Sequence, residues 1–173
     1  MYNICPLSAE HDRSAFDCGV AGLNDYLRRQ ATQDVRRDVA SVYVAISSER
    51  PSAEIAGYYV LSTTGIQHVD LPSVVQKKMP RYTILPGALL GRLAVDSRHR
   101  GRGLGMVLLY DAFSKSSKSY MAWSFFVVDA KDEIVRAFYE HFGFESFANN
   151  FDHLYITRRK LQKTLDAALS ATL

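Results

Sequence analysis

The chain has 173 residues, of which 47% are hydrophobic and 23% are charged, and its formal net charge is +3 at pH 7. These values are ordinary for one globular domain, and the mild positive charge permits an anionic ligand or a nucleic acid without requiring either. Cys5 and Cys18 are too few for a disulfide scaffold and lack metal-site spacing, which favours a reducing cytoplasm. No signal peptide is apparent, and no apolar run approaches the roughly 18 residues of a membrane helix, so we expect no membrane contact.

The first part of the chain predicts a helix followed by a β-hairpin. Residues 1–15 are interpreted as extended or irregular. A helix is expected over about 19–37, because apolar side chains recur there at helical spacing. Its other face carries Arg36 and Arg37, which form either a solvated surface or a phosphate-binding surface. Residues 41–47 and 55–62 predict antiparallel strands. Residues 63–88 predict a looser, substrate-facing segment with a short helix over 72–78.

The central stretch, residues 90–109, predicts a buried strand, a turn rich in arginine and glycine, and the start of a helix. Three glycines stand at alternate positions, Gly101, Gly103 and Gly105. Such a turn suits a phosphate, because the free N–H groups of the first helical turn and the helix dipole both favour an anion. Glycines also occur at these junctions for positive φ or for close packing, and that alternative stays open. The turn has neither the dinucleotide fingerprint nor the P-loop pattern.

The last part of the chain predicts a second strand and helix. A buried strand over 123–128 is followed by Asp132 as the N-cap of a helix that stops at Gly143. Residues 144–147 and 154–157 predict closing strands, and a C-terminal helix is expected over about 159–173. Leucines repeat every fourth residue along that helix, either to pack on the chain's own sheet or to dock a partner. The order of elements predicts one mixed α/β domain over 1–173. Its two central helices begin at the carboxyl ends of neighbouring strands, where open α/β sheets bind ligands.

Two motifs together resemble the GNAT superfamily of N-acetyltransferases. Residues 100–105, RGRGLG, match its (Q/R)-x-x-G-x-(G/A) motif, and Ala137–Phe138–Tyr139 with Gly143–Phe144 match a second conserved segment. The resemblance covers about residues 40–157. It implies a single-domain GNAT-like fold, with a mixed, mostly antiparallel sheet flanked by helices, and acetyl-CoA as the cofactor.

The resemblance also implies which residues hold acetyl-CoA. The backbone of residues 93–95 pairs with the pantetheine arm like an added strand, and N–H groups of residues 100–105 hold the pyrophosphate. The expected cofactor residues are Leu93, Ala94, Val95, Arg100, Gly101, Arg102, Gly103, Leu104, Gly105, Asp132 and Phe138. Many members of the superfamily have an asparagine where this chain has Asp132, and an ionised carboxylate can only accept hydrogen bonds.

A narrower resemblance, to the GNAT-type toxins of bacterial toxin–antitoxin pairs, extends over nearly the whole chain. It rests on residues 16–19 (FDCG), 23–27 (LNDYL), 57–62 (GYYVLS), 91–96 (GRLAVD) and 128–130 (VDA). Such toxins acetylate the α-amino group of aminoacyl-tRNA and so stop translation. The resemblance implies a ribbon-helix-helix antitoxin as partner and DNA contact only through the antitoxin complex. Together with the C-terminal leucine stripe, it implies a homodimer, and the cysteine usage favours a cytoplasmic location.

Tyr139 is the candidate catalytic residue. Acetyl transfer needs a neutral amine and a donor to the leaving thiolate, and a tyrosine with an ordinary pKa near 10 is a competent donor. An α-amine titrates near 8, and the ester of an aminoacyl-tRNA should lower that pKa further, so much of the amine is neutral at cellular pH and a strong general base is optional. Spacing alone favours Tyr139 as a core aromatic residue beside Phe138 and Phe142. The resemblance to the superfamily, whose tyrosine has the donor role, reverses that preference. No metal is expected, because the histidines lack ligand spacing.

Basic side chains are the candidates for tRNA contact, with a solvated surface as their alternative. They are Arg36, Arg37, Lys77, Lys78 and Arg92. Two other functions remain open: a GNAT enzyme that acts on a small-molecule amine or a protein N-terminus, and a non-catalytic binding module in an antitoxin or DNA complex.

Overall fold

A seven-stranded sheet forms the framework of the protein, whose computed structural model describes residues 2–48 and 54–170 except the side chains of residues 165 and 168–170. The strands are β1 (Tyr2–Pro6), β2 (Ser41–Ser47), β3 (Ile55–Gln67), β4 (Ile84–Val95), β5 (Phe125–Asp129), β6 (Glu145–Ser146) and β7 (His153–Thr157). Their order in the sheet is β1-β2-β3-β4-β5-β7-β6. The β4–β5 pair is parallel, whereas the β1–β2, β2–β3, β5–β7 and β6–β7 pairs are antiparallel. The predicted α/β fold with a mixed, mostly antiparallel sheet is confirmed.

Helices connect the strands or follow them. They are α1 (Ala21–Asp25), α2 (Ala31–Arg36), α3 (Ser73–Gln76), α4 (Leu104–Ser117), α5 (Glu133–His141) and α6 (Arg158–Ser170), with 3-10 turns at His68–Asp70 and Ser97–His99. A π-helical segment, Tyr26–Gln30, joins α1 to α2, and the N–H of Ala31 donates to the carbonyl of Tyr26. The predicted N-terminal helix is therefore confirmed as three consecutive helical segments. Within the described ranges, none of the helices has the length and hydropathy that crossing a bilayer requires.

The chain divides into two compact units. The first consists of Met1–Ser62 and Gly91–Ala112, and the second of Thr63–Leu90 and Phe113–Leu173. Three elements, β3, β4 and α4, contribute residues to both units. The single domain over 1–173, with its cofactor core over about 40–157, stays a prediction.

In the first unit, the helical segments before β2 pack on the β2–β3 hairpin. Tyr58 of β3 is fully buried, with its ring 5.5 Å from that of Phe16 and 6.4 Å from that of Tyr26. Its hydroxyl donates to the carbonyl of Leu23 over 2.8 Å. Burial of these apolar side chains is the main stabilisation of this unit, and each large one contributes about 1.5–3 kcal/mol.

In the second unit, β5 has buried side chains on both faces. Phe125 and Val127 belong to a cluster with Tyr155, while the ring of Phe126 lies 4.8 Å from that of Phe113. Because successive side chains of a strand point to opposite faces, β5 separates these two groups. A continuous apolar run therefore fits a central strand that is covered on both sides.

Residues 63–88 are more regular than the sequence predicts. The predicted short helix is confirmed as α3. The prediction of a looser segment is wrong at both ends of the range, because β3 extends to Gln67 and β4 begins at Ile84. Pro86 lies within β4, where its carbonyl still accepts from the N–H of Ser124 over 2.9 Å. The predicted C-terminal helix is confirmed over Arg158–Ser170, with Leu161 fully buried. The other leucines of its stripe, at 165, 169 and 173, lie outside the side chains that the structure describes.

Candidate active site

The turn between β4 and α4 presents its main chain to solvent. Gly101 and Gly103 have φ values of +73° and +74°, so both occupy the left-handed region that favours glycine. A Cβ built on either residue would meet nothing within 4 Å. These glycines are therefore required by backbone conformation and not by crowding, and the space above them is open to a ligand.

Three consecutive N–H groups of this turn are available. Among the described residues, no acceptor binds the N–H of Gly101, Arg102 or Gly103. The carbonyl of Gly103 accepts from the N–H of Val107 over 3.2 Å, and the helix α4 begins at Leu104. The free N–H groups thus lead directly into a helix N-terminus, an arrangement that binds phosphate.

A buried carboxylate holds the start of the turn in place. Asp96 is fully buried, and its oxygens accept from the N–H of Arg98 over 2.9 Å and from that of Asp17 over 2.9 Å. The guanidinium of Arg98 adds two contacts of 2.8 and 2.9 Å. Burial raises the pKa of Asp96, but these donors outweigh burial and lower the pKa to about 2. The carboxylate is therefore ionised at neutral pH.

The side chains of this turn mostly bind the protein itself. The guanidinium of Arg100 donates to the carbonyl of Cys18, so the predicted cofactor residue Arg100 anchors the turn with its side chain. His99 is buried, its Nδ1 lies 3.1 Å from the hydroxyl of Tyr2, and burial lowers its pKa. Leu104 is buried, whereas Arg102 is exposed. What the turn offers to an anion is therefore its N–H groups and Arg102.

The strand before the turn contains the other predicted main-chain contacts. β4 pairs with β5 from Gly87↔Phe125 to Leu90↔Val128, and residues 91–95 of β4 follow the last of these pairs. Ala94 is buried, while Leu93 and Val95 are half-buried.

In the second unit, α5 begins as the sequence predicts. The Asp132 side chain accepts from the N–H of Val135 over 2.8 Å, and Gly143 has a φ of +88° just after the helix. Asp132 is therefore confirmed as the N-cap, and one of its oxygens is occupied by that role.

Tyr139 lies on α5 with its ring buried and 5% of its surface exposed. The ring is 5.3 Å from that of Phe138 and 5.3 Å from that of Phe144. No group among the described residues hydrogen-bonds its hydroxyl. Burial, and then the charge of Asp129, raise its pKa. The residue is thus both a core aromatic and a protonated hydroxyl available as a donor.

The basic candidates for tRNA contact fall in both units. Arg36 and Arg37 are exposed at the end of α2 in the first unit. Arg92, also of the first unit, is half-buried, and its guanidinium lies 3.7 Å above the ring of Tyr26. Lys77 and Lys78 are exposed just after α3 in the second unit. Of these five, Arg92 therefore has a structural partner that its sequence position does not predict.

A polar pair at the end of β5 is not predicted from the sequence. Asp129 and His153 face each other in the β5–β7 register, and the Nδ1 of His153 lies 2.6 Å from the carboxylate of Asp129. The sequence places Asp129 in a motif but assigns it no partner, because the pairing of β5 with β7 joins residues far apart in the chain.

Comparison with known proteins decides the family. The sequence model of the acetyltransferase (GNAT) domain matches residues 38–146. The chain belongs to the GNAT acetyltransferase family. Its glycine turn and Tyr139 both fall inside the matched range, so the predicted GNAT resemblance is confirmed.

Two curated relatives of this GNAT protein have toxin names. The tRNA-acetylating toxin of Mycobacterium tuberculosis (strain ATCC 25618 / H37Rv) is 33% identical over 152 residues, which are 87% of this chain and 88% of the relative. The probable toxin TacT of Sinorhizobium fredii (strain NBRC 101917 / NGR234) is 30% identical over 105 residues, 61% of this chain and 57% of the relative.

Solved GNAT structures similar to the chain include further proteins of this kind. AtaT complexed with acetyl-methionyl-tRNAfMet has a TM-score of 0.86 and 28% identity, covering 94% of this chain and 98% of that one. A tyrosine-to-phenylalanine variant of KacT has a TM-score of 0.85 and 27% identity, with the same coverage. AtaTR bound with AcCoA has a TM-score of 0.80 and 27% identity, covering 94% and 96%.

Proposed function

We propose that this GNAT protein is a toxin that transfers the acetyl group of acetyl-CoA to the α-amino group of aminoacyl-tRNA and thereby blocks translation. The observation that carries the proposal is its similarity, over 87% of its length, to a tRNA-acetylating toxin. The solved relatives in complex with an acetylated aminoacyl-tRNA and with AcCoA support the same acceptor and donor.

The glycine turn would hold the pyrophosphate of acetyl-CoA. Its free N–H groups at Gly101, Arg102 and Gly103 fit an anion, and no Cβ obstructs the approach. The main chain of residues 93–95 would pair with the pantetheine arm as an added strand, and Phe138 would contact it. Asp132 stays a predicted contact, made with the oxygen that its capping role leaves free.

Tyr139 would act on the leaving group. Acetyl-CoA supplies a thioester, whose sulfur needs a proton as the bond to the carbonyl carbon breaks. The hydroxyl of Tyr139 keeps its proton, because burial raises its pKa, and it has no hydrogen-bond partner among the described residues to compete for it. A buried hydroxyl in this state is a poor base and an available donor.

Basic side chains would contact the phosphates of the tRNA. The candidates are Arg36, Arg37, Lys77, Lys78 and Arg92. Each phosphate contact releases counterions, so transfer to tRNA should weaken as salt rises, whereas transfer to a small amine should not.

Partners and location complete the proposal. Its cysteine usage favours work in the cytoplasm, and its resemblance to the GNAT-type toxins favours a homodimer. A cognate ribbon-helix-helix antitoxin would neutralise it, and any DNA contact would run through the antitoxin complex. The buried Leu161 favours packing of α6 on its own unit at that position, so an antitoxin would dock elsewhere on the helix or on another surface.

The test is acetyl transfer from labelled acetyl-CoA to total charged tRNA, with wild type compared with Tyr139→Phe. We expect label on the aminoacyl group and a loss of about 10²-fold in the variant, the usual contribution of one proton donor. Acetyl-CoA binding by both proteins is the control. If acetyl-CoA binds but no charged tRNA is labelled, the toxin proposal is wrong and small amines or protein N-termini become the acceptors to screen.

A further inference from the structure

An open cleft of about 620 Å³ lies at the start of β5 in the second unit. Its lining comes from three parts of the chain: Met79 just after α3, residues 123–125 around the start of β5, and five residues between 157 and 163 where β7 leads into α6. Its volume falls in the range of ligand-binding clefts, about 300–1,000 Å³. The cleft is therefore large enough to admit a segment of a polymer.

The polar lining of this cleft is cationic. It consists of two hydroxyl side chains, one amide and three cations: Ser124, Thr157, Gln162, Arg158, Arg159 and Lys163. Side chains of these types are the ones that bind the phosphate oxygens of nucleic acids. Among the described residues, no aspartate or glutamate lines the cleft. The lining therefore complements a polyanion.

Arg158 has a fixed position in this lining. Its guanidinium lies 4.9 Å from the centre of the Trp123 ring and donates to the carbonyl of Ser117 over 3.0 Å. The Trp123 ring is itself fixed, because its Nε1–H donates to the carbonyl of Ser116 over 2.8 Å. A guanidinium has five N–H donors, and only one of its nitrogens has an acceptor among the described residues. The remaining donors are held in place for a phosphate, so binding it would order little further side chain.

Arg159 and Lys163 extend the positive charge along α6. Both are exposed, and they stand four residues apart, so they are neighbours on one face of the helix. Like charges at this spacing repel each other. In the described part of the chain, no carboxylate pairs with either side chain. An anion from outside the chain would therefore relieve this repulsion.

The cations at the start of α6 also oppose the helix dipole. Arg158, Arg159 and Lys160 occupy its first turn, which contains no acidic residue. The N-terminus of a helix carries partial positive charge and is stabilised by anions. Lys160 offsets the conflict by pairing with Glu145 over 2.7 Å, whereas Arg159 has no such partner among the described residues. The first turn of α6 therefore suits the binding of an anion better than it suits the stability of the helix.

Two of the predicted tRNA contacts adjoin the cleft. Lys77 and Lys78 are exposed, and they directly precede Met79, which lines it. Tyr139 is not one of the lining residues. Residues of the cleft can therefore be substituted without a change at the proposed proton donor.

We propose that this cleft binds the sugar-phosphate backbone of the acceptor tRNA, with Arg158, Arg159 and Lys163 as phosphate contacts. The proposal rests on the proposed function and adds to it a contact surface on α6 that the sequence does not predict. An acidic segment of a protein would meet the same cations. The proposed acceptor is itself a polyanion with a phosphate at every nucleotide, which favours RNA as the occupant.

The test compares tRNA binding by Arg159→Gln and Lys163→Gln with binding by the wild type. The dissociation constant for uncharged tRNA is measured between about 50 and 200 mM salt. Each variant should bind about fivefold more weakly near 0.15 M salt, and the slope of log affinity against log salt should fall by about 1, because one phosphate contact is lost. In the transfer assay, KM for charged tRNA should rise, while kcat and KM for acetyl-CoA should not change.

Lys160→Gln is the matched control. It removes the same charge from the same end of α6, but Lys160 pairs with Glu145 and does not line the cleft. Its tRNA affinity and salt slope should therefore stay at the wild-type values. Glutamine forms helices about as well as lysine and arginine, so all three variants should keep the circular dichroism spectrum of the wild type. Either cleft variant suffices for the test if the other does not fold.

Two results would overturn the inference while labelled charged tRNA still upheld the proposed function. Cleft variants that bind tRNA as the wild type does would leave the cleft to an acidic protein segment. An equal loss in Arg159→Gln, Lys163→Gln and Lys160→Gln would mean that only the net charge of the protein matters. A wild type that labels no charged tRNA would overturn the proposed function, and the inference with it.

Discussion

The β4–α4 turn and the β5–α5 connection are both strand-to-helix junctions, yet they present different parts of the chain. In the first, Asp96, Arg98 and Arg100 bind the protein itself, and the N–H groups at Gly101 to Gly103 have no acceptor among the described residues. In the second, Asp132 caps the helix, and the free group is the hydroxyl of Tyr139. A phosphate needs several convergent donors, which main-chain N–H groups supply, whereas a thiolate needs one donor, which a side chain supplies.

The two junctions should also differ in what maintains their shape. The first depends on a buried charge and on two left-handed glycines, and the second on aromatic packing and one cap. Substitutions in the first should therefore change the free energy of unfolding more than substitutions in the second. Four variants test this difference.

Asp96→Asn should have the largest effect, a loss of about 3 kcal/mol in the free energy of unfolding. The substitution removes a buried negative charge and leaves the donors around it without a carboxylate to bind. The pKa of Asp96 is lowered from its ordinary value of 3.8 to about 2. Its contribution to stability is therefore complete above about pH 4 and is lost as pH falls towards 2. Chemical denaturation of both proteins across this range measures the effect. A difference that persists unchanged at pH 2 would contradict the assignment.

Gly103→Ala should lower the free energy of unfolding by about 1–2 kcal/mol, because an L-residue is strained at a φ of +74°. In the part of the chain that the structure describes, no atom lies within 4 Å of the added Cβ, so we attribute the effect to this strain. Gly22→Ala is the matched control, since Gly22 lies in α1 and a Cβ there also meets no described atom within 4 Å. This variant should raise the free energy of unfolding by about 0.5–1 kcal/mol. Equal effects in the two variants would show that φ does not govern the turn.

Asp132→Ala should lower the free energy of unfolding by about 1 kcal/mol through loss of the cap. Asp132→Asn keeps an acceptor oxygen and should stay near wild type. Thermal unfolding of the three proteins separates these outcomes. A loss in both variants would mean that the negative charge, and not the hydrogen bond, stabilises the start of α5.

Tyr139→Phe should have the smallest effect on stability, within about 0.5 kcal/mol of wild type, because its hydroxyl has no hydrogen-bond partner among the described residues. The same substitution should reduce acetyl transfer strongly. A large drop in the unfolding midpoint would reveal that the hydroxyl has a structural role.

Local patterns in the sequence predict local structure well. The cap at Asp132 joins residues three apart, and Gly143 ends the same helix, so both follow from short-range chemistry. The glycine turn is predicted for the same reason. Its stabilising contacts are not, since Asp96 binds the N–H of a residue 79 positions away and Arg100 binds a carbonyl 82 positions away. No spacing rule relates such residues.

Three other features of the fold also cannot be predicted from local sequence patterns. Proline at 86 favours a loop, yet it lies within β4, where its carbonyl is used and its missing donor is tolerated. The Asp129–His153 pair depends on the register of β5 against β7, which the sequence leaves open. The π-helical segment after α1 likewise has no periodic pattern that would predict it.

The hydrogen bond between Asp96 and the N–H of Asp17 affects when the glycine turn can form during synthesis of the chain. Ribosomes deliver residue 17 long before residue 96, and the bond must then close a loop of 79 residues. Closing a loop of that length is slower than forming a hairpin or a helical turn, so we expect the glycine turn to reach its final shape late. A nascent chain released before Arg98 emerges lacks the turn altogether, and such a truncated product would be unable to act as an acetyltransferase.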